Sequence, residues 1–107
     1  MKLEDMLLID TLFDDKCRSL LGRRELTYSV GRHRYDGMLY VLISGSTGAG
    51  TWISKWVSAR DIETIVLRSQ SLFGYTLHSL YRGTSKNTAG FLLAVLLHLG
   101  LVRRKER

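Results

Sequence analysis

The stretch SKNTAGFLLAVLLHLGLVRRKER, Ser85–Arg107, decides how the chain is read. It begins polar, becomes apolar for more than a dozen residues and closes on a burst of positive charge. Three structures fit such a pattern: a membrane segment, a core helix with a solvated tail, or a DNA-reading helix followed by a strand. The membrane segment is excluded by length. The apolar run Ala89–Val102 is about fourteen residues and contains His98, whereas a span needs about twenty apolar residues. The two remaining readings share a helix from Lys86 to Leu99, opened by Thr84 or Ser85 as a cap and ended by Gly100.

Working back from that helix, SARD at Ser58–Asp61 is a capping-box-like start. Ile62, Ile65, Val66, Ser69, Leu72 and Phe73 then continue a stripe at helical spacing. YTLHSLYR, Tyr75–Arg82, predicts a further short helix ended by Gly83. Further back the period changes to two. ELTYSV alternates Leu26, Tyr28 and Val30 against polar neighbours, MLYVLI (Met38–Ile43) is a short apolar run, and TWISKWV (Thr51–Val57) alternates again. The glycine-bounded loops GRHRYDG and GSTGAG join them, which predicts a three-stranded antiparallel meander. At the front, KLEDMLLIDTLFDDKCRSLLG places Leu3, Met6, Leu7, Phe13, Cys17, Leu20 and Leu21 near a three-to-four spacing. Glu4 and Asp5 stand in the first turn and Gly22 at the end, so this segment predicts a helix. The expected fold is a single α+β domain over residues 1–107: an N-terminal helix, the three-stranded meander and a helical half.

The stretch LYRGTSKNTAGFLLAVLLHLGLVRRK, within residues 77–105, resembles the helix-turn-helix and following strand of winged-helix transcription regulators of the GntR-like kind. Gly83 stands at the turn, Ser85 at the helix start, Ala89, Leu92, Leu93 and Leu96 at core-facing positions, and GLVRR at the exit into the wing. The resemblance implies that Lys86, Asn87 and Thr88 enter the major groove, where Asn87 suits adenine edges and Lys86 suits guanine or phosphate. It implies that Arg103, Arg104 and Lys105 hold backbone phosphates. Phe91, Val95, Leu97 and Leu99 are apolar where that family is polar, which predicts that either more of the protein covers this face or it is a subunit interface, and a homodimer is expected.

Composition supports a polyanion partner. The 107 residues carry a net charge of +6, with acidic residues crowded into the first fifteen and basic ones prevailing from Lys16 onward. In RRELTYSVGRHRYDG, Arg23, Arg24, Arg32, His33 and Arg34 interleave with Tyr28 and Tyr35, a pattern suited to phosphates and unpaired bases. Arg32 and Arg34 therefore join the expected DNA-binding set.

Other chemistries lack their residues. GSTGAGT carries Thr51 where a phosphate loop needs Lys, and strand rather than helix character follows. His33, His78 and His98 show no metal-ligand spacing. Cys17 lies on the apolar side of its segment, and Asp10, Asp14 and Asp15 read as a solvated face. No enzyme activity, metal or cofactor is expected. A lone cysteine forms no internal disulfide, and Glu4, Asp5 and Asp10 interrupt any export signal, so a cytoplasmic protein is expected.

Together these features predict a small basic DNA-binding protein, a transcriptional regulator contacting duplex DNA through its last helix and basic C-terminus. Two alternatives stay open. One is a protein-interaction module docking through the apolar C-terminal helix. The other is a small RNA-binding protein using the Arg/Tyr hairpin.

Overall fold

A computed structural model describes residues 7–48, 52, 54–81 and 87–103. Four strands form one antiparallel sheet in sequence order: β1 (Ile9–Arg18), β2 (Glu25–His33), β3 (Leu39–Ser46) and β4 (Val57–Ser58). Two α-helices follow, α1 (Ala59–Arg68) and α2 (Thr88–His98), with a short 3-10 helix, His78–Tyr81, between them.

This architecture corrects the expected one in three places. The segment read as an N-terminal helix contains the edge strand β1, with turns on either side of it in the described residues. Ile9, Phe13 and Cys17 are four residues apart, a spacing that meets one helical face and the two-residue repeat of a strand equally well. A β-bulge decides how the strand uses them. Thr11 pairs with Gly31 and Phe13 with Val30, so Leu12 is the extra residue. Before the bulge, Ile9 shares a face with Gly31; after it, Phe13 and Cys17 share the opposite face with Val30 and Leu26. One strand thereby feeds both sides of the sheet.

The second correction concerns the meander. Among the described residues of TWISKWV only Val57 enters a strand, as the two-residue β4 pairing Tyr40 with Ser58 and Val41 with Val57. The sheet is four-stranded because β1 joins it. The third concerns the helical half. The segment expected as the first helix of a helix-turn-helix has turns over Gly74–Leu77 and a single 3-10 turn after them. Beyond α2, Leu101 and Val102 are bends, and no wing strand is present among the described residues.

The core lies between one sheet face and the helices. Cys17, Leu26, Tyr28, Val30, Val41, Ile43 and Val57 supply the sheet side. Ile62, Leu77, Tyr81 and nearly all of α2 supply the other. Phe91 to Leu96 are all buried, with Thr88 and Ala89 ahead of them. A helix enclosed on every side has no polar stripe to offer solvent, and its sequence accordingly lacks one. Helix α1 is the ordinary amphipathic kind: Ile62 is buried, and the N–H of Asp61 donates to Ser58 Oγ at 3.1 Å, closing the predicted cap. No described helix is long and apolar enough to cross a membrane.

The reverse sheet face is built around Gly31. A Cβ there would stand 2.6 Å from Ile9 Cγ2 and 2.9 Å from Trp56 Cη2. Only glycine lets Ile9 and the Trp56 indole close over the strand at this point.

Candidate functional site

The β2–β3 hairpin end and the cleft beside it bring together exposed cationic, aromatic and titratable side chains. The turn is closed by two backbone bonds: His33 N–H donates to the Met38 carbonyl at 2.8 Å, and Gly37 N–H to the His33 carbonyl at 3.0 Å. Gly37 takes φ +73°, a conformation that costs glycine little. Asp36 Oδ1 accepts the Met38 N–H at 2.8 Å, as Asp does in turns. The hairpin end is also moored to the chain before β1, since Arg34 N–H donates to the Leu8 carbonyl at 2.8 Å. Its guanidinium reaches Asp10 with contacts of 2.8 and 3.3 Å. That partnership holds the Asp10 carboxyl below its ordinary range and pushes Arg34 further up.

On this fixed turn Tyr35 stands 78% exposed. Arg32 and Arg34, just before it in the chain, are exposed as well. The His33 ring lies under it, tilted, with centroids 6.0 Å apart. His33 Nδ1 accepts the Tyr35 N–H at 3.3 Å and lies 3.5 Å from Asp36 Oδ1. A neutral ring accepting at Nδ1 carries its proton on Nε2.

Beside the turn a cleft of about 700 Å³ is lined by His33, Asp36, Tyr40, Lys55, Trp56 and Asp61, among others. Tyr40 arrives from β3, Lys55 and Trp56 from the segment before β4, and Asp61 from the first turn of α1. Trp56 is half-buried and Lys55 exposed. The volume falls within the range of small-ligand pockets, roughly 300–1,000 Å³.

A second cavity, about 560 Å³, lies between the end of β1 and α2 and is lined by Lys16, Cys17, Leu20, Ala94 and His98, among others. At this side His98 Nε2 lies 3.3 Å from Asp15 Oδ2. The Lys16 amide and then His98 keep the Asp15 carboxyl below its ordinary range. Burial, and then the Asp15 charge, push the Cys17 thiol up, which suits packing rather than nucleophilic work. No group of three potential metal ligands gathers among the described residues.

The residues expected to contact DNA are dispersed by the fold. Arg32 and Arg34 are at the hairpin end. Asn87 and Arg103 are exposed at the two flanks of α2. Thr88, expected beside a base, is fully buried. Lys86, Arg104 and Lys105 lie outside the described residues. Of the expected interface, Phe91 and Val95 are buried within this one chain, while Leu97 and Leu99 are half-buried. Arg24, read as part of the basic cluster, stands over the Phe91 ring at 6.0 Å. For Thr88, Phe91 and Val95 the physical cause is the same: α2 sits inside the fold, and its own chain covers them.

Tyr40, Lys55, Trp56 and Asp61 were not among the expected site residues. A signal existed in the SARD cap, which starts a helix directly after SKWV and so turns the chain beside Trp56. Compared with known proteins, the chain matches no family model, no curated protein and no solved structure.

Proposed function

We propose that the chain binds single-stranded nucleic acid, in the cytoplasm, through the β2–β3 hairpin end. The observation that carries this reading is the Tyr35 ring, 78% exposed on a hydrogen-bonded turn whose preceding residues include the exposed Arg32 and Arg34. A large aromatic held open to water on a fixed turn is a platform for stacking, and every base has a face to stack. Arginines nearby in the same hairpin suit the phosphates that accompany such bases. The net charge of +6 draws the strand in.

Unpaired strands are favoured over a duplex by the placement of α2. A helix that reads a groove must lay one side against the bases. Here Thr88, Phe91 and Val95 are enclosed by the fold. The hairpin end needs no such insertion.

The test is fluorescence anisotropy with labelled 12-residue single-stranded RNA, single-stranded DNA and a duplex, over a series of salt concentrations. Both single strands are expected to bind more tightly than the duplex. Tyr35→Ala should cost about 1–3 kcal/mol, the usual worth of one base–aromatic stack. Arg32→Ala should lower the slope of log K against log salt by about 0.7 on single strands. Wild-type affinity in Tyr35→Ala, or tighter binding of the duplex, would remove the basis of this reading.

A further inference from the structure

We propose that the cleft beside the hairpin holds one unstacked nucleotide of the bound strand and selects guanine. This rests on the single-strand reading above and assigns the cleft a role of its own.

The cleft supplies an aromatic wall, a cation and acceptor groups. Trp56 forms the wall. Its ring edge lies against Gly31, where even a methyl group would stand 2.9 Å from Cη2. The indole is therefore seated before any ligand arrives. Tyr40 adds a second aromatic lining residue. Lys55, adjacent in sequence to Trp56 and exposed, suits the phosphate of the same nucleotide.

The acceptors decide which base fits. Asp36 and Asp61 both line the cleft, and an ionised carboxylate only accepts hydrogen bonds. Asp36 is oriented by the Met38 amide, which occupies its Oδ1 at 2.8 Å. Guanine carries two donors side by side, N1–H and the N2 amine, which match one carboxylate. Adenine and cytosine each set a ring-nitrogen acceptor beside their amine. Uracil flanks its single N–H with two carbonyls. Each of those three turns a lone pair toward the carboxylate, and guanine does not. His33 lines the same cleft, and with Nδ1 accepting the Tyr35 amide at 3.3 Å its other nitrogen, Nε2, is the one left to donate. That donor suits the O6 or N7 acceptors of guanine.

The experiment titrates the full chain with GMP, AMP, CMP, UMP and IMP at low salt, following the Trp56 indole N–H by heteronuclear NMR, with Trp56→Phe used to assign the signal. GMP is expected to shift this signal saturably with a Kd at least tenfold below those of AMP, CMP and UMP. IMP lacks only the N2 amine and is expected to bind about tenfold more weakly than GMP, a comparison that needs no change to the protein. Asp36→Asn should bring GMP to the level of the other nucleotides. Equal shifts from all five nucleotides, or none at Trp56, overturn the guanine pocket; if oligo(U) still binds through Tyr35, the single-strand reading survives that result. Failure of oligo(U) and of every nucleotide to bind removes both.

Discussion

Gly31→Ala is the sharpest probe of how the two sheet faces are joined. The new Cβ would meet Ile9 Cγ2 at 2.6 Å, Trp56 Cη2 at 2.9 Å and the Asp10 carbonyl oxygen at 3.1 Å. Carbon atoms prefer separations of about 3.5–4.0 Å, so Ile9 must retreat by roughly 1 Å. Its escape is limited because one of the three neighbours is β1 backbone. Overpacking of this kind costs about 1–3 kcal/mol. Replacing glycine in extended backbone returns about 0.4–1 kcal/mol through the unfolded chain. The net expectation is a loss of about 1–2 kcal/mol, read as a lower urea midpoint at unchanged slope. For a domain of this size it corresponds to a fall in Tm of about 4–16 °C. Trimming the obstacle should recover part of the loss: Gly31→Ala with Ile9→Ala is expected to be less destabilised than the sum of the two single changes, by about 1 kcal/mol. A Gly31→Ala protein as stable as wild type, or strict additivity with Ile9→Ala, would refute the close approach on which both the reverse face and the Trp56 wall depend.

Three other outcomes are expected. Leu92→Ala, in the centre of α2, should cost about 2–5 kcal/mol in chemical denaturation, because a fully buried leucine leaves a cavity; a change under about 0.5 kcal/mol would mean the helix is not core. The Asp10 and Asp15 carboxyls are held below the ordinary 3.8 by Arg34 and by the Lys16 amide with His98, respectively. Their stabilising effect is therefore present above 3.8 and disappears as pH falls through the lowered folded values. Carbon-detected NMR titration should find both low, with Asp10 alone rising in Arg34→Ala. Burial raises the phenols of Tyr28 and Tyr81, so their stabilisation is complete below the ordinary value of 10 and is lost as pH climbs beyond it. An ultraviolet titration of the folded chain should show these two ionising later than free tyrosine, and ionisation of all five tyrosines together near 10 would contradict their placement.

How much of this was legible in the sequence depended on whether a residue pattern admitted one period or two. Leu26, Tyr28 and Val30 alternate at a spacing only a strand satisfies, and β2 begins where they do. Ile9, Phe13 and Cys17 admit both periods, and pairing with β2 settled the matter. No local pattern announces a bulge at Leu12, since the register comes from the neighbouring strand. The last helix was legible as a helix, but whether its own chain or a second subunit covers Phe91 and Val95 was not, because apolar positions do not say what packs on them. Half of the site could be read directly, since Arg32, Arg34 and Tyr35 are neighbours in the chain. The cleft could not, because it arises only where β3, the segment before β4 and the start of α1 converge.

The bulge at Leu12 has one more consequence. β1 is a ten-residue strand on the rim of the sheet, with Leu12 and Phe13 partly open to water. A flat rim of that length would template growth of ordered aggregates, one molecule zipping onto the next. A bulge breaks the regular ladder of this rim, and Asp10, Asp14, Asp15 and Lys16 stud it with charge, two features that oppose edge-to-edge pairing with another copy.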